Sequence, residues 1–279
     1  MKTVHVVSFP KSGRTWVEVM VNRITASLAG LDLGSLLRGE VGVADGGRPD
    51  LPRVVFGHGH DNGRLCRDSI FAAGHYRGAH VALLVRDPRD VLVSHYYAAR
   101  YHYHAFDGSL EDFIDHDARG EPTDSLGCRF GLTPIVNYLN GWAANAGRLE
   151  QFEVFQYEDF KRAPGVELAK LCMYLGLPAS ADDIERAVEF GSVENMRAIE
   201  AGGGFGWHAL AGSDDPRGKK VRRATVGGNR EELGADTLDR VNDFIEKRLH
   251  PMFDRYRRAG LDAGRTASSQ FESHTEVST

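Results

Sequence analysis

Strand-like runs alternate with helical patterns along most of this chain, and that alternation restricts the fold more than any other feature. Residues 3–9 are β-rich and stop at Pro10, after which Lys11-Ser12-Gly13-Arg14 forms a short polar turn. Trp16, Val17, Val19, Met20 and Ile24 then begin a helical period. Residues 30–52 are rich in Gly, Asp and Pro without a period, and 53–56 read as a second strand running into Gly57-His58-Gly59-His60. A third strand, 80–85, ends at Arg86-Asp87-Pro88-Arg89-Asp90. There Asp87 can cap, Pro88 suits the first helical position and Asp90 favours the helix dipole, so a helix is expected from that turn to about residue 104. Helical patterns recur at 109–118 and 130–149, a fourth strand at 152–157, and further helices at 159–176, 181–190 and 192–200. Residues 201–230 are Gly-rich and basic, a loop expected to order on binding, and a last amphipathic helix is expected over 236–256. Strands joined through helices require right-handed crossovers and a parallel sheet covered on both faces, with the ligand crevice at the carboxyl ends of the strands. The expected fold is therefore α/β, with a central parallel sheet flanked by helices.

With 279 residues the chain can form one large domain or two small ones. No internal repeat and no linker divides it, so one domain over 1–260 is expected, followed by a polar, frayed tail at 261–279. Hydrophobic residues at 42% and charged residues at 26% exclude collagen-like, disordered and coiled-coil classes. The formal charge of -5 argues against a nucleic-acid coat, although a local basic cluster could still hold a phosphorylated ligand. Cys66, Cys128 and Cys172 form no paired motif, which points away from a disulfide framework or zinc knuckle and toward a reducing compartment. The N-terminal run meets Pro10 too early for a secretory segment, and no apolar run of about 18 residues exists to span a membrane. A cytoplasmic protein without nucleic-acid or membrane partners is expected, and the sequence leaves the oligomeric state open.

The segment Pro10-Lys11-Ser12-Gly13-Arg14-Thr15-Trp16 sits between a strand and a helix, where backbone N–H groups converge on the helix N-terminus and attract an anion. Gly13 permits close approach and Lys11 adds a full charge. The order differs from G-x-x-x-x-G-K-[ST], because Lys11 precedes Gly13, which disfavours ordinary kinase chemistry. Read alone, the segment is equally a strand-to-helix turn with an exposed lysine. Arg86 and Ser94, eight residues apart on a strand–turn–helix unit, can face one phosphate as charged fork and neutral donor. The alternative has Arg86 paired with Asp87 or Asp90 and Ser94 merely packed.

At these two segments the chain resembles the sulfotransferases that use 3′-phosphoadenosine 5′-phosphosulfate (PAPS). Phe9-Pro10-Lys11-Ser12-Gly13-Arg14-Thr15-Trp16 is similar to that family's 5′-phosphosulfate loop, and Val85-Arg86-Asp87-Pro88-Arg89-Asp90-Val91-Leu92-Val93-Ser94 to its 3′-phosphate element. Phe155-Gln156-Tyr157-Glu158-Asp159-Phe160 and Gly191-Ser192-Val193-Glu194-Asn195-Met196 are similar to two further family segments. The resemblance implies a P-loop-like phosphosulfate-binding loop after the first strand. In that scheme Lys11, Ser12, Gly13, Arg14 and Thr15 hold the 5′-phosphosulfate, Trp16 contacts adenine, Arg86 and Ser94 hold the 3′-phosphate, and Tyr157 and Ser192 approach the nucleotide. The family's C-terminal R-K-G-x-x-G-x-W loop is matched imperfectly by residues 222–229, with Ala224 for a glycine and Asn229 for a tryptophan. Arg222 and Arg223 remain expected ligands, against the alternative of a solvated basic loop shared with Arg217, Lys219 and Lys220. The Ala224 N–H reaches the phosphate only if its backbone avoids a conformation reserved for glycine.

A general base needs hydrogen-bond reach to the acceptor and an unprotonated state at working pH, which histidine supplies best. His58 falls at the family's catalytic histidine, at a strand carboxyl end. His60, two residues on, points to the same face of an extended segment, so geometry alone permits either one, or both as a metal pair. Phe56 stands where the family has a second lysine, and Arg14 is a candidate substitute donor. Within His95-Tyr96-Tyr97-Ala98-Ala99-Arg100-Tyr101-His102-Tyr103-His104 the histidine spacings suit zinc poorly, leaving an acceptor-pocket wall or an aromatic core face. The expected reaction is transfer of a sulfuryl group from PAPS to a hydroxyl or amine of a small-molecule acceptor, with 3′-phosphoadenosine 5′-phosphate (PAP) as product, Lys11 and His58 as catalytic residues and no metal. A nucleotide phosphotransferase and a non-catalytic nucleotide-binding relative are the rivals.

Overall fold

A computed structural model describes residues 3–31, 50–59, 76–116, 130–202 and 215–257. His60, Cys66, Cys128, residues 203–214 of the basic loop and the tail from 261 lie outside them. Four strands, β1 (Thr3–Val7), β2 (Arg53–Gly57), β3 (His80–Val85) and β4 (Gln151–Gln156), form one sheet in the order β2-β1-β3-β4. All three pairings are parallel, with Val6 opposite both Phe56 and Ala82, and Val85 opposite Gln156. The α/β reading of the sequence therefore holds.

Strand β3 is buried along its whole length because both faces of the sheet are covered. Val81, Leu83 and Val85 enter one core with residues of α2 (Pro88–Tyr101), α4 (Leu132–Asn145) and α10 (Ala235–Arg248). Ala82 and Leu84 enter the other with α1 (Arg14–Ala29), α6 (Pro164–Leu175) and α7 (Ala181–Phe190). Each large aliphatic side chain so enclosed contributes roughly 1.5–3 kcal/mol of transfer free energy. Cys172 of α6 sits within the second core, and burial pushes its thiol up to about 12, so it is a packing residue rather than a nucleophile.

The start of α2 forms as its sequence dictates: Asp87 accepts from the Arg89 N–H, Pro88 opens the helix and Asp90 lies in the first turn. The helix ends at Tyr101, three residues before the expected limit, and His104 beyond it has a left-handed φ of 51°. Two expected helices prove to be interrupted. The stretch 159–176 divides into α5 (Tyr157–Arg162) and α6, because Pro164 cannot donate and forces Ala163 to φ -143°, ψ 67°. The last helix is broken after Arg248, where Pro251 opens a 3₁₀ turn, Pro251–Phe253, before helical residues resume at 254–257. Short α3 (Leu110–Ile114), α8 (Val193–Ala201) and α9 (Asn229–Glu232) complete the described helices. No helix of the described residues is long and apolar enough to cross a membrane.

With β1 and β3 adjacent while the chain runs from β1 outward to β2, the topological switch point falls between the carboxyl ends of β1 and β3. The Pro10–Gly13 turn and Arg86 are placed there.

Candidate active site

The turn after β1 is held in an unusual shape. Lys11 has φ 70° and Gly13 φ 92°, both left-handed. A Cβ on Gly13 would lie 2.5 Å from the buried Tyr157 ring, so both the backbone angle and the space demand glycine. Gly13 precedes α1, and no side chain caps that helix. The positive end of a 16-residue helix is thus directed at the turn. Trp16 is fixed by donating from its indole N–H to the Gly191 carbonyl at 2.6 Å and by edge contacts with Tyr157 and Phe160, and the Lys161 ammonium sits 5.2 Å over its ring.

Arg86 ties the site together. It donates to the Lys11 carbonyl at 3.3 Å and the Thr225 carbonyl at 3.0 Å, lies 4.5 Å over the Tyr157 ring and stands 3.5 Å from the Asp90 carboxylate. Asp90, 3% exposed, accepts from the Gly227 N–H, the Asn229 N–H and the Asn229 side-chain amide. Asn229 therefore serves as an anchor of this loop, which explains what the residue in the expected tryptophan's place does.

The rest of the 215–229 segment is fastened to α2 and α8. Arg222 stacks 3.8 Å over Tyr97 and pairs with Glu232 at 2.9 Å, while Tyr97 donates to the same carboxylate at 2.7 Å. Arg217 stacks 4.0 Å over Tyr101, itself stacked on Tyr97. Two backbone N–H groups, of Lys220 and Val221, donate to the buried Glu200 carboxylate. Ala224 sits at φ 55°, the left-handed conformation that costs a non-glycine residue roughly 1–2 kcal/mol. The Arg86 bond to Thr225 and the Asp90 bond to Gly227 hold the segment that follows it.

His58 follows β2, and its Nδ1 lies 2.8 Å from the Ser8 carbonyl, which can only accept. Nδ1 therefore carries the proton, and Nε2 presents a lone pair, at 3.3 Å from Nη2 of Arg14. Arg14 also meets Glu18 at 3.5 Å.

These groups surround one cavity of about 770 Å³, within the range that takes up a nucleotide-sized ligand. Lys11, Gly13, Arg14, Thr15, Trp16, His58, Arg86, Ser94, Tyr157, Arg222, Arg223 and Ala224 all line it. Ser12 and Ser192 do not: Ser12 is buried behind the turn, and Ser192 caps α8 by accepting from the Asn195 N–H. Sequence reasoning missed Lys161 and gave Lys220, Thr225 and Asn229 no ligand contact, yet all four also line the wall. The stretch 95–104 divides between its two expected roles. His95 is core, edge-on to Phe9, Phe113 and Phe130, whereas His102 and Tyr103 face the cavity. Phe56 lines the cavity while packing on the second core.

The electrostatics are strongly cationic. Burial, then repulsion from Lys220, Arg86 and Arg222 outweighing the pull of Glu200, pushes the Lys11 ammonium down to about 8. Burial and the charges of Lys11, Lys220 and His104 bring the His102 imidazole down to about 4, so it is neutral at physiological pH. Such a wall repels itself until an anion with several charges settles on it. Its residues fit an anionic ligand that meets the turn after β1, Arg86 and the Arg222–Arg223 loop. Among the described residues no three His, Cys, Asp or Glu side chains form a set that could hold a metal ion.

Comparison with known proteins agrees with this layout. A family model described as a sulfotransferase domain matches residues 77–253, a span that begins after the Lys11 turn and His58. Sulfotransferase 2A6 of Rattus norvegicus is 24% identical over 207 residues, or 68% of this chain, and the match spans 65% of that relative, just under two thirds of its length. A mouse sulfotransferase, SULT7A1, solved with PAP, superposes with a TM-score of 0.61 at 16% identity, covering 88% of this chain and 84% of its own. Retinol dehydratase, solved with androsterone and PAP, gives 0.58 at 17% identity, covering 89% and 81%. At such identities the two structures attest the fold.

Proposed function

This chain belongs to the sulfotransferase domain family, and from that premise we propose that it transfers a sulfuryl group from PAPS to a hydroxyl or amine of a small-molecule acceptor. The observation that carries this reading is that the Lys11 turn, the start of α1, Arg86 and the Arg222–Arg223 loop all line one cavity. A donor with a 5′-phosphosulfate and a 3′-phosphate brings two anionic groups to that cationic wall. In this assignment Lys11 and the N-terminal amides of α1 meet the 5′ group, Trp16 and Tyr157 meet the base, and Arg86, Ser94, Arg222 and Arg223 meet the 3′-phosphate, while Ala224, at a glycine-type φ of 55°, fails the condition for a contact. Ser12 and Ser192 support the loops that carry these contacts.

The reaction asks for positioning and charge stabilisation. The acceptor oxygen bonds to sulfur as the bridging S–O bond breaks with its electron pair, leaving PAP, and the acceptor proton passes to Nε2 of His58. The bond from Nδ1–H to the Ser8 carbonyl keeps the lone pair on Nε2. Arg14, adjacent to that lone pair, would withdraw toward the donor when the acceptor enters. The structure of retinol dehydratase with androsterone favours an acceptor of comparable, largely apolar character. His102 and Tyr103 would face it. Incubation with PAPS and a panel of phenols, alcohols and amines, with PAP release measured by chromatography, tests the reading. Sulfated product and PAP in equal amounts are expected, and PAP-independent consumption of ATP with release of ADP would oppose it.

Lys11 makes nucleotide binding pH-dependent in a defined direction. Its ammonium titrates at about 8. Below that pH it is charged and binding is at full strength; affinity declines as pH rises through that value. A bound bisphosphate draws the pKa back up, so at about pH 9 complex formation takes up a proton. Calorimetry in buffers of different ionisation heat measures this uptake, and an affinity unchanged between about pH 7 and 9 would place Lys11 away from the ligand.

A further inference from the structure

Lys219 and Lys220 are adjacent in a basic loop, yet they occupy different environments. Lys219 is exposed, whereas Lys220 is half-buried and lines the cavity. The difference is imposed by Glu200 of α8, 5% exposed, whose two carboxylate oxygens accept from the Lys220 N–H at 2.7 Å and the Val221 N–H at 3.2 Å. That clamp fixes the backbone from which the Lys220 side chain departs.

The neighbouring charges locate Lys220 within the cavity. Those that weigh most on it are Glu200, Arg14 and Glu18. Lys11 in turn feels Lys220 ahead of every other charge, and Arg86 and Arg222 only after Glu200. His102 feels Lys11 and Lys220 together. Val221, the next residue, packs with Trp16 on Val19 of α1 and Met196, so Lys220 lines the cavity on the α1 side, with Lys11 and Arg14. Two further cations of the loop are paired, Arg222 to Glu232 and Arg223 to Glu231. Strand β2 brings Val55, Phe56 and Gly57, none of them charged, to the cavity.

We propose that Lys220 is a further catalytic residue, a second ammonium beside Lys11 that contacts the oxygens of the sulfuryl group in transfer and makes no contact with the 3′-phosphate. The proposal rests on the donor assigned above. As sulfur passes from the bridging oxygen to the acceptor, charge is redistributed over the sulfuryl oxygens and the departing oxygen, while the proton goes to His58. An ammonium with three donors on a flexible stem can follow that movement, and the clamp at Glu200 holds its base still.

The test compares Lys220→Met, Lys220→Arg and Lys219→Met with the wild-type chain, by calorimetric affinity for PAP and for PAPS and by the rate of sulfate or sulfate-ester release from PAPS. Lys220→Met is expected to bind PAP within about threefold of wild type, which also reports an intact fold, while losing about tenfold in affinity for PAPS relative to PAP. Its rate should fall by about 10²-fold, with partial recovery in Lys220→Arg and no change in Lys219→Met. Equal loss of PAP and PAPS affinity would make Lys220 a phosphate ligand and overturn the proposal, as would an unchanged rate. A wild-type chain that binds neither nucleotide would overturn the donor assignment itself, a result distinct from either of these.

Discussion

His58→Ala is expected to lower sulfuryl transfer by about 10²–10⁴-fold while PAP affinity stays within about threefold. The imidazole is locked through Nδ1–H to the Ser8 carbonyl at 2.8 Å, so its one available lone pair is on Nε2, at the rim shared with Arg14. Removing the ring removes the proton acceptor but leaves the turn after β1, Arg86 and the 215–229 segment in place. Single-turnover release of PAP, with PAP binding measured on the same variant, separates the two effects. Transfer within about tenfold of wild type would move the base to His60 or to a carboxylate.

Arg86→Ala carries the second large effect. Its guanidinium is a charged fork at the end of β3, and a charge-assisted contact to phosphate contributes about 1.5–3 kcal/mol. Loss of about 2 kcal/mol would weaken PAP binding roughly 30-fold while hardly altering affinity for adenosine 5′-phosphate, which lacks the 3′ group. The substitution also removes the bridges to the Lys11 and Thr225 carbonyls and the cation over Tyr157. Lys11 and Ala224, both at left-handed φ, lose a common brace. Arg86→Lys keeps a charge but not the fork, and is expected to recover only part of the discrimination. If Arg86→Ala weakened PAP and adenosine 5′-phosphate equally, Arg86 would be a loop brace without a phosphate contact.

The parts of the site that could be read from sequence are those built from contiguous strand–turn–helix units. Pro10–Trp16 and Arg86–Ser94 each place their chemistry within a single such unit, so residue order alone reports the geometry. Asp87, Pro88 and Asp90 take their expected places for the same local reason. The break at Pro164 was also written in the sequence, since proline and the residue before it both resist a continuous helix, and the helical period across it masked that signal. Other features depend on distant segments meeting. Asn229 acquires its role from Asp90, Lys220 its orientation from Glu200, and Arg222 its stacking from Tyr97. No spacing along the chain encodes those meetings. Ser192, by contrast, shows a local role: a serine ahead of a helix caps it by accepting from the Asn195 N–H.

The central claim is that one cavity recognises a nucleotide by two separate anionic groups. Calorimetric titration of PAP, adenosine 5′-phosphate and ATP at one fixed salt concentration tests it most directly. The account predicts micromolar binding of PAP and binding of adenosine 5′-phosphate at least about 30-fold weaker, the difference being the Arg86 corner. Equal affinity for PAP and adenosine 5′-phosphate, or tighter binding of ATP than of PAP, would contradict it.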